Sequence, residues 1–276
     1  MELSMTETQT SQILHPFDIF TVNMRELDSL VAIYSYVSSH PLTTLKGEPC
    51  TTEILLKHGI VFIVTCWDEY IKQLVMSAFD FMLAHAENPA VFPRQVKMIT
   101  SQKLQPPYPD SFDNEVVRRQ KQKVRETWDN HLWKQDIWHL AGDGWIKLLR
   151  DNQEEVMKQY VDKFQSPRPD TIDKLLASII GLKNLSSHWS WLGMSCEEAK
   201  KCLNILLNLR GDLVHTNQSH RLVTIEDIDY FSLLVNKLAG ISANVVREHV
   251  YKQTGKYPWL DSGILDVPAY QPTHCN

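Results

Sequence analysis

The segment from Thr52 to His85 constrains the fold more than any other part of the chain. Its apolar residues recur at helical spacing in two neighbouring stripes, formed by Val61, Val64, Ile71 and Val75 and by Ile60, Ile63, Trp67, Leu74 and Phe81. A helix that is apolar round most of its girth is covered by protein on most sides. We therefore predict that this helix lies in the middle of a helical bundle.

Three further core helices follow from the same periodicity, and two of them carry clear start signals. Ser195 with Glu198 makes a capping box, and Thr224 with Asp227 makes a second cap. No stretch alternates apolar and polar residues long enough to make a sheet. The predicted fold class is all-α, an antiparallel four-helix bundle whose core helices cover about 16–38, 52–86, 195–215 and 225–253.

The remaining segments are predicted to embellish one helical domain over residues 16–253. Residues 1–15 are expected to be disordered, and 254–276 to form an irregular tail. Prolines near the start of 87–170 favour an irregular and partly helical insertion there. Within the domain, 171–182 reads as a short helix capped by Thr171.

Composition excludes several classes of protein. The chain carries 28 basic and 33 acidic residues, a net charge of −5, which excludes a globally basic mode of nucleic-acid binding. Its five cysteines form no CxxC pair and read as reduced residues of a cytoplasmic protein. The start resembles no signal peptide, and no apolar run approaches the ~18 residues that span a membrane, so a soluble protein is expected.

The stretch Asn208–Asn217 is the short pattern that suggests chemistry, because Arg210 and His215 lie five positions apart where a helix ends. On a continuous helix the two side chains point about 140° apart and lie ~7.5 Å apart along the axis. In one reading, the arginine merely complements the helix dipole and the last carbonyls. In the other, the pair becomes a site, either because Gly211 bends the backbone or because two copies meet at a two-fold axis.

The second reading has a definite chemistry. A guanidinium grips phosphate oxygens through a fixed fork of donors, and an imidazole exchanges protons near neutral pH. Two of each around one phosphodiester suffice for RNA cleavage without a metal.

Two motifs together resemble a known family. Arg210 to His215 fits the RxxxxH signature of the HEPN superfamily, in which a four-helix bundle carries the motif near the end of its third core helix. The segment Ile63–Lys72, an apolar run ending in Trp-Asp-Glu-Tyr-Ile-Lys, resembles a helix of the RiboL-PSP-HEPN branch. The resemblance covers roughly 16–86 and 171–253.

The resemblance implies a homodimeric, metal-independent endoribonuclease that needs no cofactor, often a toxin or an antiviral defence nuclease. It makes Arg210 the phosphate-holding residue, His215 the general base or acid, and Asp68 the acidic residue that orients one of them. RNA, a second copy of the chain and an antitoxin or another regulatory partner are the implied partners. Two departures are an Asp at 68, where Glu is commoner, and Gly211, where the family often has a polar residue.

Asp68 is also singled out by its position. It shares a stripe with Val64 and Ile71, so we expect partial burial, and a buried carboxylate requires a partner. Arg210 or His215 is the expected partner. Glu69 lies on a more mixed stripe and is expected to be exposed.

A basic stretch offers a separate candidate RNA contact, formed by Arg118, Arg119, Lys121, Lys123 and Arg125. The alternative for this stretch is a solvated helix face. Trp128, Trp133, Trp138 and Trp145 are expected to pack on the bundle rather than to stack on bases. The histidines show no metal-ligand spacing, so no metal site is predicted. Two rival functions stay open, a non-catalytic HEPN module that binds RNA, a nucleotide or a protein, and a plain helical interaction protein.

Overall fold

The computed structural model describes residues 15–40, 52–94, 96, 144–215 and 222–259. Within these ranges the chain is helical and contains no β-strand, so the all-α prediction is confirmed. The α-helices are α1 Pro16–Met24, α2 Glu26–Ser39, α3 Glu53–His85, α4 Gly144–Asp151, α5 Gln153–Tyr160, α6 Pro169–Ile179, α7 Cys196–His215 and α8 Ile225–Thr254. Short 3-10 turns lie at Pro89–Val91 and Leu185–His188.

Helix α3 is the centre of the bundle, as its two apolar stripes predict. It packs against α1, α2, α6, α7 and α8. Ile60, Ile63, Trp67, Ile71 and Leu74 are fully buried. Since burying one such side chain stabilises the fold by roughly 1.5–3 kcal/mol, this helix organises the core.

The starts of α7 and α8 are fixed by the predicted capping boxes. The backbone N–H of Ser195 donates to the Glu198 carboxylate at 2.9 Å, and the Glu198 N–H donates to the Ser195 hydroxyl at 3.3 Å. Thr224 and Asp227 exchange the same pair of bonds at the start of α8. Both predictions are confirmed, and they set the register of every residue further along these helices.

Two details of the helix boundaries differ from the sequence prediction. The first predicted helix has a turn at Arg25, whose N–H is shared between the carbonyls of Thr21 and Val22. Helix α6 begins at Pro169 with Arg168 as its N-cap, because proline lacks the N–H that a first helical residue leaves unpaired. Thr171 is therefore the third residue of the helix, and the prediction that it is the cap was wrong.

The described cysteines are buried or half-buried thiols. Cys66 and Cys202 lie in the core and Cys196 is half-buried, all three in the free form. Burial, together with the nearby charge of Glu26, raises the pKa of the Cys66 thiol to about 11. This agrees with the sequence prediction of reduced core residues; Cys50 and Cys275 lie outside the described residues.

Helices α4 and α5 are the described part of the predicted insertion. Trp145 and Leu149 of α4 are buried, and α4 packs against α3 while α5 packs against α6. Trp145 therefore packs on the bundle, as expected. The predicted disordered start, most of the insertion and most of the tail lie outside the described residues.

None of the helices in the described ranges is long and apolar enough to cross a membrane.

Candidate functional site

Helix α7 carries the candidate site without a bend. It is α-helical from Cys196 through Gly211 to His215. Of the two ways to bring Arg210 and His215 together, bending at Gly211 is therefore not observed. His215 is the last residue of the helix, and the structure describes only its backbone.

Arg210 continues the buried side of α7. Ala199, Leu203 and Leu206 precede it at helical spacing and are fully buried. The Nε atom of Arg210 is itself buried and has no hydrogen-bond partner among the described residues. This nitrogen therefore has an unused donor. Leaving a buried donor unsatisfied typically costs about 1–3 kcal/mol.

A different stripe of α7 leads to position 215. Asn204, Asn208, Gly211 and position 215 follow one another at spacings of four, three and four residues, which align on a helix. Among the described residues, a Cβ atom added at Gly211 would meet nothing within 4 Å, so that part of the chain leaves this stripe open there. Positions 210 and 215 thus face different sides of one continuous helix, about 140° apart.

Asp68 is partly buried, as predicted, but its partner differs from the prediction. Its side chain is 26% exposed, and its carboxylate accepts from Lys72 Nζ at 2.6 Å. The prediction named Arg210 or His215; among the described residues the partner is Lys72. The reason is local, since a residue four positions on lies directly above on the same helix face. Glu69 is exposed, as expected, and accepts from Gln73 at 2.9 Å.

Sequence reasoning missed Arg168. Its guanidinium donates from Nη1 to Asn204 Oδ1 at 3.1 Å and from Nη2 to Asn208 Oδ1 at 2.8 Å. It therefore joins the start of α6 to the stripe that leads to position 215. The sequence signals were weak, a Pro-Arg-Pro break and two asparagines four positions apart, and nothing local connects them.

Trp67, one residue before Asp68, supports that contact. Its Nε1 donates to the carbonyl oxygen of Pro167 at 3.2 Å, although the indole is completely buried. A buried Trp N–H requires an acceptor, and here the acceptor belongs to the residue before Arg168. The Trp-Asp segment of α3 is in this way linked to α6 and α7.

A shallow cavity of about 340 Å³ lies elsewhere, between α8 and the 3-10 turn at Leu185–His188. It is lined by Leu182, His188, Asn244, Val245, Glu248, His249 and Lys252. The Nε2 of His249 contacts the Ile180 carbonyl at 2.8 Å, and burial lowers the pKa of this imidazole. In the part of the chain that the structure describes, no group of three His, Cys, Asp or Glu is placed to hold a metal.

The basic stretch from Arg118 to Arg125 lies outside the described residues, as do Trp128, Trp133 and Trp138. Their predicted contacts with RNA or with the bundle stay predictions.

An all-α bundle that carries RxxxxH at the end of a capped helix defines a protein of the HEPN class. More narrowly, the model of the RiboL-PSP-HEPN family matches residues 25–242, and the chain belongs to that family. The match extends through the insertion, which the resemblance of the two motifs did not cover. No curated protein and no solved structure matches the chain. Membership of this superfamily indicates a ribonuclease or a nucleotide-binding module.

Proposed function

We propose that this protein is a metal-independent endoribonuclease that acts as a homodimer, with Arg210 and His215 of each copy around one phosphodiester. The observation that carries the proposal is that the RxxxxH pattern of a chain of this family lies at the end of one continuous helix, where Arg210 Nε has no hydrogen-bond partner among the described residues. A toxin or defence role, restrained by an antitoxin or another regulatory partner, fits such an activity.

The chemistry needs two proton transfers and one stabilised charge. One His215 imidazole takes the proton of a ribose 2′-hydroxyl, and the 2′-oxygen attacks the neighbouring phosphorus. The Arg210 guanidiniums hold the negative charge that develops on the phosphate oxygens. A second proton donor, the His215 of the other copy, protonates the leaving 5′-oxygen. The products are a 2′,3′-cyclic phosphate and a 5′-hydroxyl.

A second copy is needed because one helix separates the two groups. On unbent α7 the two positions face about 140° apart, so they do not form a compact pair on one face. A two-fold axis places each helix against its twin and brings the arginine and histidine of both copies to one place. Gly211, which has no Cβ, leaves room on this helix for a close approach.

Two further groups belong to the proposal. Asp68 is its acidic positioning residue, with a charge balanced by Lys72 in the free protein. The basic stretch at Arg118, Arg119, Lys121, Lys123 and Arg125 is its non-specific contact with the RNA backbone.

The test is incubation of the wild type, Arg210→Ala and His215→Ala with total RNA in EDTA. Wild type is expected to cut, and each variant to lose at least about 100-fold in rate, since positioned acid–base and charge-stabilising groups contribute that much. His188→Ala, which removes an exposed histidine outside the candidate site, is the matched control and is expected to cut normally. Unchanged cleavage by His215→Ala contradicts the proposal.

One observation favours the alternative of a non-catalytic HEPN module. Among the described side chains, Asp68 pairs with Lys72 and not with Arg210, so it is not engaged with the arginine of the site. This alternative predicts that the wild type binds RNA or a nucleotide and leaves it intact.

A further inference from the structure

The Arg168 guanidinium is held in a fixed place. Its residue lies between two buried prolines, Pro167 and Pro169, which restrict the backbone on both sides. Its own N–H donates to Thr171 Oγ1 at 3.0 Å. The carbonyl of Pro167 is bound by the buried Trp67, which ties the segment to α3. A guanidinium mounted this way loses little further freedom when it binds a ligand.

The groups that hold this guanidinium do not neutralise it. Its two acceptors, Asn204 Oδ1 and Asn208 Oδ1, are neutral amide oxygens. Within the described part of the chain it has no carboxylate partner. The positive charge therefore remains available to an anion.

Most of the hydrogen-bonding capacity left in the cluster is donor capacity. A guanidinium has five N–H donors and no acceptor, and two of them are used here. Because it can only donate, each asparagine must turn Oδ1 towards it and its two-donor Nδ2 away. Arg168, Asn204 and Asn208 thus present donors around a cation, a combination that matches the oxygens of a phosphate.

A purely structural role explains this arrangement less well. Carboxylates at 204 and 208 would hold the guanidinium as ion pairs, whereas its hydrogen bonds to the two amides are charge-assisted on the donor side only. The two amides give the weaker link and keep the charge. The cluster also lies on the stripe of α7 that leads to position 215, seven residues and ~10.5 Å along the axis from Asn208.

Resting on the proposed function, we infer that Arg168, with Asn204 and Asn208, binds a backbone phosphate of the RNA strand that flanks the phosphate being cleaved. Arg168 is then a phosphate-binding residue that sets the position of the strand, separate from Arg210 at the scissile phosphate.

The experiment measures binding of a labelled single-stranded RNA of mixed sequence whose riboses are all 2′-O-methylated, so that no cleavage interferes. Affinity is followed by fluorescence anisotropy over a series of KCl concentrations for the wild type, Arg168→Gln and Asn208→Asp. Asn208→Asp keeps an oxygen acceptor for the guanidinium, so the link between α6 and α7 stays, but it neutralises the charge. Arg150→Gln removes an exposed arginine of α4 as the matched control.

Both Arg168→Gln and Asn208→Asp are expected to weaken binding about 5- to 10-fold and to reduce the slope of log K against log salt by ~0.7, the value for one phosphate of a single strand. The double variant, in which the carboxylate at position 208 lacks its guanidinium partner, is expected to bind no better than either single variant. Arg150→Gln is expected to match the wild type, and all variants to keep the wild-type melting temperature within a few degrees.

Two results overturn the inference. If Asn208→Asp binds RNA with the affinity and salt slope of the wild type, Arg168 only links α6 to α7 and does not bind a phosphate. Equal competition by a nucleoside monophosphate would assign the cluster to free nucleotides.

A parallel assay with unmodified RNA in EDTA separates this inference from the proposed function. If the wild type cleaves RNA and both variants bind RNA as the wild type does, the inference about Arg168 is wrong and the proposed function stands. If the wild type leaves RNA intact and both variants bind RNA more weakly, the protein is not a nuclease, and the phosphate contact of Arg168 is supported.

Discussion

At the scale of single residues, the two arginines near α7 differ in how they are held. Arg210 has a buried Nε that lacks a partner among the described residues, whereas Arg168 is fixed by two amide oxygens. Binding an acceptor would remove the cost of the unsatisfied Arg210 donor. The Arg168 guanidinium already has a fixed geometry, so it loses little freedom when it binds a ligand. Both settings suit a ligand rich in phosphate oxygens.

Two helical glycines give opposite predictions. Among the described residues, a Cβ at Gly211 meets nothing within 4 Å, so Gly211→Ala should raise the free energy of unfolding by roughly 0.5–1 kcal/mol through helix propensity. A Cβ at Gly59 would lie 2.8 Å from Ile228 Cδ1, so Gly59→Ala should lower it by about 1–3 kcal/mol through overpacking. Urea denaturation at a concentration where the protein is monomeric measures both; a destabilised Gly211→Ala monomer would contradict the open stripe.

Asp68 gives a prediction that separates its charge pair from a role in the site. The pair with Lys72 is partly exposed, so losing it should lower stability by no more than about 0.5 kcal/mol. If Asp68 positions the site, Asp68→Asn should slow RNA cleavage while Lys72→Gln should leave it near the wild-type rate. Equal rates for the two variants would limit Asp68 to its pair with Lys72.

The sequence predicts residues of this site only where the cause is local. Partial burial of Asp68 follows from its stripe, and the exposure of Glu69 follows from its mixed stripe. Lys72 lies at the right spacing for a local partner, whereas the predicted contact of Asp68 with His215 stays a prediction. The contacts of Arg168 with α7 span 36 and 40 residues and depend on how helices pack, which no local pattern records.

At the scale of helices, local rules place the starts well. The two capping boxes lie where Ser195–Glu198 and Thr224–Asp227 predict them, because the groups that satisfy the first amides are close in sequence. The start of α6 was misplaced because Pro169, rather than the hydroxyl of Thr171, determines its first turn.

His249 makes the packing of α8 dependent on pH. Burial lowers the pKa of this imidazole from its ordinary value of 6.5, and Lys252 lowers it further, whereas the bond to the Ile180 carbonyl opposes them. The neutral ring is favoured in the folded state, so the imidazole contributes its full share to the free energy of unfolding above about pH 6.5. That contribution decreases as the pH falls from there towards the lowered pKa, because the unfolded chain binds the proton more readily.

The free energy of unfolding should therefore fall as the pH drops below about 6.5, and that of His249→Gln, which can still donate to Ile180, should fall less steeply. Chemical denaturation at several pH values measures the slopes. His188→Gln, an exposed histidine of the same cavity, is the control and should keep the wild-type slope. Parallel curves for the wild type and His249→Gln would show that this imidazole carries no such dependence.

At the scale of the whole molecule, the proposed site is shared between two copies of the bundle. Helix α3 fixes α6 through Trp67 and contacts α7, and α7 carries Arg210 and position 215 on different sides. The all-α fold follows from periodicity alone, but the need for a second copy follows only once α7 is seen to run straight through Gly211. Assembly is thus the condition on which the proposed chemistry depends.

The measurement that tests this most directly is the rate of RNA cleavage per protomer in EDTA against protein concentration, with the mass followed by light scattering. The protein is expected to be a dimer at micromolar concentration. Its cleavage rate per protomer is expected to fall as dilution dissociates the dimer, and His215→Ala is expected to be inactive at every concentration. A monomeric protein that cleaves RNA at a constant rate per protomer would contradict the shared site.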